Sequence, residues 1–214
     1  MKTFKALESA KTEQGNKISI IEKNIDDLPE GELLIKVNYS SLNYKDALSA
    51  SGAPGVTRNY PHTPGIDAVG IIEESTDANF KEGDCVIVTG YDLGMNTSGG
   101  FGQYIRVPSA WAVMLPSGLS DRESMCLGTA GLTAGLSIQA LDDFNGNKGF
   151  DSSSSIVTGS TGGVGSIAVM LLSKLSSSVT AVTGKDSEKS LLQSLGASEV
   201  ISREELAEIS RTPI

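Results

Sequence analysis

The run Gly159-Ser160-Thr161-Gly162-Gly163-Val164-Gly165 has residue types and a position that could do chemistry. It follows Ile156-Val157-Thr158, which reads as a strand, and opens Val164 to Leu175, a helical stretch apolar on nearly every side and expected to be buried. A glycine turn between a strand tip and a helix start lets the backbone approach a diphosphate, whose charge rests against the helix N-terminus. Ser160, Thr161, Gly162, Gly163 and Val164 are therefore candidate cofactor-binding residues. The glycines do not form a strict GxGxxG, and the bland alternative is a tight strand-to-helix turn in some other α/β protein. The next strand, Val179 to Val182, supplies a second test, because a dinucleotide with a free ribose hydroxyl is matched by an acid at that strand's end. Here the strand runs into Thr183-Gly184-Lys185, with no carboxylate in the expected place. A hydroxyl and a cation suit a 2′-phosphate, and Arg203, just after the third strand, can join them, so NADPH is favoured over NADH. Asp186 weakens this signal or caps the following helix, and Lys185 as a plain solvated charge remains the alternative.

Other reactive side chains are sparse. The chain has one histidine, His62, which excludes any His-paired metal motif. It lies between Pro61 and Thr63-Pro64, in a segment the prolines hold extended, and reads as a packing residue. Cys85 and Cys126 are far apart, form no CxxC, and both read as inert core thiols.

The elements that must hold these residues fall into two kinds. Up to about Leu119 the chain alternates short apolar runs (Ile18 to Glu22, Glu32 to Val37, Ala68 to Glu73, Cys85 to Val88) with Gly and Pro turns, the pattern of a small barrel or sandwich. Ser120-Asp121-Arg122-Glu123 is a capping box that opens a helical stretch to about Leu127, and Gly128-Thr129-Ala130 leads a second one to about Leu141. Trp111 is expected where the two parts meet. From Ser155 onward strand, helix, strand, helix, strand follow in turn, the last opening a helix at Ser202-Arg203-Glu204-Glu205, and this alternation predicts a parallel sheet. The expected domains are residues 1–119 and 120–214.

Composition narrows the partners. The 214 residues carry 17 Lys and Arg against 26 Asp and Glu, a net charge of −9, which disfavours nucleic acid because that binding needs a basic patch. No apolar run approaches the roughly 20 residues of a membrane span, and Met1 to Glu8 has no signal-peptide core, so no membrane association and a cytoplasmic location are expected.

Taken together, these motifs resemble the medium-chain dehydrogenase/reductase superfamily, and within it the zinc-free quinone oxidoreductases of the YhdH and acrylyl-CoA reductase type. The likeness runs from about residue 4 to residue 206. It rests on Ser41-Leu42-Asn43-Tyr44-Lys45-Asp46, Pro61 to Gly70, Gly83-Asp84, Gly99 to Tyr104, Gly128 to Ala134, and the glycine loop with Lys185. The resemblance implies a GroES-like barrel followed by a Rossmann doubly wound parallel sheet, here an α/β fold with a β-rich N-terminal domain and an incomplete second sheet. Zinc-containing relatives place Cys, His and Cys at positions matching Asn43, Ile66 and Thr129, which cannot complete a tetrahedral zinc site, so no metal is expected.

What the resemblance implies is hydride transfer from NADPH to a small-molecule acceptor, a quinone or an α,β-unsaturated carbonyl such as an acryloyl-type CoA thioester. Asn43 and Tyr44 would be the catalytic pair in the cleft between the domains, with Tyr44 also contacting the cofactor; a half-buried turn tyrosine is the alternative. Lys45 and Asp46 would form a local ion pair holding the turn. Relatives continue for roughly another hundred residues and complete a six-stranded sheet of order 3-2-1-4-5-6, so this chain is expected to be truncated, with its first Rossmann strand at an open edge. A homodimer is implied for the full-length form. The competing readings are a non-catalytic dinucleotide-binding protein and an inactive fragment of such a reductase.

Overall fold

The computed structural model describes residues 2–151, 153–176 and 178–209. The chain divides into two compact units, residues 1–129 and 130–214, and passes from one to the other inside a helix.

In the first unit, β1 (Thr3–Thr12) and β2 (Gly15–Asn24) pair antiparallel as a hairpin. β3 (Leu33–Tyr39), β4 (Asp67–Ser75), β5 (Cys85–Thr89), β6 (Tyr104–Val107) and β7 (Ala112–Met114) form a five-stranded antiparallel sheet of order β6-β3-β4-β5-β7. Between β3 and β4 lies one short helix, α1 (Tyr44–Ser51). Period-two alternation puts Leu33, Ile35, Val86, Val88, Ile105 and Val107 on one side, where they pack with Ala68, Ile72 and Leu93 into a dry core. A smaller cluster, Phe4, Ala6, Ile25, Leu34 and Tyr104, joins the hairpin to the sheet. Trp111 packs against the main core and stacks on Tyr91, with centroids 5.3 Å apart and planes at 4°, so a partner within the β-rich part takes the place expected of a domain boundary.

α2 (Asp121–Phe144) opens with the expected capping box: Glu123 accepts from Ser120 N at 2.9 Å, and Glu123 N donates back to Ser120 Oγ at 3.3 Å. Taken whole it has the length and mean hydropathy of a membrane span. Gly128, at φ 47° and ψ −149°, breaks it. Residues 129–144 are then about 24 Å of helix, short of the roughly 30 Å of a hydrocarbon core.

In the second unit, β8 (Ser154–Thr158), α3 (Gly163–Leu175), β9 (Ser178–Val182), α4 (Lys189–Ser194), β10 (Glu199–Ile201) and α5 (Arg203–Ile209) alternate. The strands make a parallel sheet of order β10-β9-β8. The helical crossovers are what parallel neighbours require. Its core joins Val157, Val179 and Ala181 of the sheet to Val169 and Leu172 of α3, Leu192 of α4 and Ile138 of α2. α3 is not buried all round: Val164, Met170, Leu171 and Leu175 are exposed, because only one side of the helix packs on this three-stranded sheet.

Candidate functional site

Two groups of residues are candidates for the chemistry, one in each unit. In the second, β8 ends at Thr158 and the chain turns through Gly159 to Gly162, the N-cap of α3. Gly162 N donates to Gly159 O at 2.9 Å, closing the turn. Gly165 permits the approach of helix to turn: a Cβ there would meet Gly159 O at 2.3 Å and Ser160 Cα at 2.8 Å. Ser160 is fully buried, and its hydroxyl donates to Val157 O at 2.6 Å and accepts from Val182 N at 3.0 Å. Its side chain therefore ties the tips of β8 and β9 together, and its backbone N–H donates to Val182 O at 3.3 Å. Thr161 is half-buried, while Gly162, Gly163 and Val164 are exposed at the helix start. This turn has the strand-to-helix placement that suits an anion at a helix N-terminus.

At the tip of β9, Thr183 is buried, and its hydroxyl accepts from Lys185 N at 3.1 Å. Thr183 N donates to Ile201 O at 3.1 Å, which fixes the end of β10 beside it. α5 begins there, and its first residue, Arg203, brings its guanidinium over Gly184: a Cβ on that glycine would lie 3.6 Å from Arg203 Nε. Lys185 and Arg203 are both exposed. Asp186 opens a single 3-10 turn before α4 and pairs with Lys189 at 3.0 Å.

In the first unit the centre is a carboxylate that the sequence reading missed. Asp67, the first residue of β4, is fully buried. Its Oδ2 accepts from Ser41 Oγ, from Asn43 Nδ2 at 2.8 Å and from Thr129 N at 3.0 Å; its Oδ1 accepts from Thr129 Oγ1 at 2.7 Å. Four donors of this kind satisfy the hydrogen-bonding capacity of the buried Asp67 side chain. Gly128 makes the approach of Thr129 feasible, since a Cβ there would lie 2.6 Å from Asp67 Oδ2. Asp46 is the second buried acid. It accepts from Asn43 N at 2.8 Å and Ile66 N at 2.9 Å, and burial is the main cause holding its pKa above the ordinary value.

The expected ion pair between Lys45 and Asp46 is not formed. Asp46 turns inward to cap α1 and bind Ile66, while Lys45, one position earlier on the helix, points to solvent. Asn43 is half-buried with its amide held by Asp67 and Ser41, and Tyr44 is 81% exposed, not a half-buried turn residue. The positions matched to zinc ligands offer an amide engaged with Asp67, a buried isoleucine and a hydroxyl engaged with Asp67. That donor set does not fit zinc, which takes Cys, His or carboxylate. Among the described residues no group of three or more His, Cys, Asp or Glu could hold a metal. Cys85 is partly buried beside Asp121, and burial pushes its pKa up to about 11. Cys126 is exposed, against the expectation of a core thiol, because its turn of α2 leaves that side unpacked.

In this chain a β-rich unit is followed by a parallel sheet with a glycine turn at its first helix. Residues 29–117 match the alcohol dehydrogenase GroES-like domain. The chain is 41% identical over 213 residues to the acrylyl-CoA reductase AcuI of Ruegeria pomeroyi, covering 99% of this chain and 64% of that protein. The yhdH oxidoreductase from Salmonella enterica, solved in complex with NADP, superimposes with a TM-score of 0.88 at 41% identity, over 94% of this chain and 61% of that one. The Bacillus subtilis protein yhfP, solved with NAD bound, gives 0.88 at 45% identity, over 96% and 62%. The chain belongs to the medium-chain dehydrogenase/reductase superfamily. It spans a little over three fifths of the length of these relatives.

Proposed function

We propose that this chain carries the nucleotide-binding turn and part of the acceptor site of an NADPH-dependent, zinc-independent reductase acting on a quinone or an α,β-unsaturated carbonyl such as an acryloyl-type thioester. One observation carries the cofactor reading: Lys185 and Arg203 flank Gly184 at the tip of β9, where an NADH-selective site would present an acid. NADPH, when bound, would supply the hydride. The backbone N–H groups of Thr161, Gly163 and Val164 would hold the diphosphate at the α3 N-terminus, with Ser160 and Gly162, whose N–H groups are engaged within the fold, shaping the turn. Thr183, Gly184, Lys185 and Arg203 would hold the 2′-phosphate. Tyr44, projecting from the first position of α1, would meet the nicotinamide ribose, and Asn43, fixed by Asp67, would be the polar contact beside it. The acid-rich surface argues for a small-molecule acceptor over nucleic acid. We place residues 1–119 in the acceptor-side domain and 120–214 in the nucleotide-binding part.

Titration of the chain with both cofactors is the test. Lys185→Ala should weaken NADPH by roughly ten- to a hundredfold, the worth of one charge-assisted contact, and leave NADH little changed. Equal losses for both would show that Lys185 acts through folding. The NAD-bound B. subtilis relative gives the second reading, a chain that accepts NADH, and tighter NADH than NADPH binding in the unaltered chain would favour it. Loss of NADPH absorbance with a quinone or acryloyl-CoA separates a reductase from a non-catalytic binding protein.

A further inference from the structure

His62 is the single histidine of the chain and only 4% exposed. Several stretches of the first unit converge on it. Its backbone exchanges two hydrogen bonds with Ser9 of β1, at 2.8 and 2.9 Å. The Gly94 carbonyl lies beside its ring and accepts from Ser49 Oγ of α1 at 3.3 Å. The carbonyl of the next residue, Thr63, accepts from Gly99 N at 2.8 Å. Both ends of the loop from Gly90 to Gly99 are thus fastened to the His62 segment, since Gly90 N donates to Ile66 O at 3.3 Å.

The ring nitrogen Nε2 is buried with no hydrogen-bond partner among the described residues. A neutral ring protonated at Nδ1 fits this place, because it puts no N–H at the unpartnered Nε2. An imidazolium does not: it adds a second N–H with no acceptor and a charge away from water. The charged neighbours do not rescue it. Lys23 of β2 reaches Thr63 Oγ1 at 3.4 Å, pairs with Glu8 at 3.7 Å, and repels a second cation. Lys11 lies 5.1 Å over the ring of Tyr60, whose plane stands edge-on to His62 at 6.5 Å. Asp92, in the fastened loop, is the one anion that favours the charged ring.

We propose that the His62 segment is an acid-sensitive latch: with the ring neutral and buried, the segment's backbone holds β1 and the loop from Gly90 to Gly99 in place, and protonation, which gives Nε2 a buried N–H without an acceptor, drives the ring out and releases them. The same segment runs on to Ile66, whose N–H holds Asp46, and to Asp67, which holds Asn43 and Thr129. Acid release is therefore transmitted to the carboxylate cluster. Desolvation dominates the balance of charges at the ring, with Lys23 adding to it, so the ring stays neutral to below its ordinary value of 6.5. The sign follows: the latch contributes its full stability above pH 6.5 and loses it as the pH falls below.

Because the chain has one histidine, its imidazole can be followed without ambiguity by NMR in untagged protein. The expected result is an Nδ1–H tautomer at pH 8 and a titration midpoint below 6.5. Amide protection of Ser9, Gly94 and Gly99, corrected for intrinsic exchange, should fall on the order of tenfold or more through that midpoint. In His62→Gln that fall should vanish. A midpoint at or above 6.5, an Nε2–H tautomer, or protection that does not change through the midpoint overturns the proposal. So does a pH dependence that survives in His62→Gln. If His62→Gln does not fold, the titration of the unaltered chain decides alone.

Discussion

Asp67 shows how much a single buried side chain can organise. It sits in Gly65-Ile66-Asp67-Ala68, between apolar residues, and nothing local in the sequence distinguishes it from a strand-end acid exposed to water. Its importance lies in donors from residues 41, 43 and 129, which only the fold brings together. Asp67→Asn places an N–H among groups that already donate, so a loss of about 1–3 kcal/mol in urea denaturation is expected. The two cysteines invite a direct comparison. The Cys126 thiol is exposed, while the Cys85 thiol is held protonated to about pH 11 by burial and the Asp121 carboxylate. At pH 8 an alkylating reagent should label Cys126 promptly and Cys85 only on unfolding, as peptide mass spectrometry would read out. Lys185, by contrast, is a candidate from its position just after a strand, and Tyr44 from the family likeness.

At the scale of elements, the glycine turn and its flanking β8 and α3 follow from local spacing, and so do the strands of the parallel sheet. What the spacing did not show is why the fourth glycine is needed. Gly165 lies within the helix and touches the turn behind it, so its side chain must be a hydrogen. Gly165→Ala should push α3 off the turn, with a cost of about 1–3 kcal/mol and a loss of dinucleotide binding larger than Lys185→Ala produces. Calorimetric titration and thermal denaturation of the same protein would check both. The hairpin β1–β2 escaped detection along most of β1, where Ser9, Ala10 and Lys11 carry little strand signal. α1 escaped because a short helix capped by Asn43 and Asp46 looks like a turn until Asp46 is seen bonded to Ile66 N.

The molecule as a whole has separate apolar cores. One lies in the β-rich unit around Leu33, Ile35 and Ile105, another in the parallel-sheet unit around Val169, Val179 and Leu192. Each is assembled from its own contacts, which predicts unfolding in more than one step. Ile105→Ala and Leu192→Ala, each removing a fully buried side chain, should cost about 2–5 kcal/mol. Each loss should appear in one transition only, as tryptophan fluorescence at Trp111 and far-UV circular dichroism can separate during a urea titration. A single shared transition that moves equally in both variants would show the cores to be coupled.

By itself the sequence determined the kinds of element and their order, because periodicity, turn residues and caps act over a few residues. It also determined the glycine turn and the cation after β9, since both are fixed by neighbours in the chain. The tertiary structure alone decided which of the buried polar groups form a site. Asp67, Asp46 and His62 acquire their roles from partners tens of residues away, and hydrogen bonds in a place without water depend on that convergence.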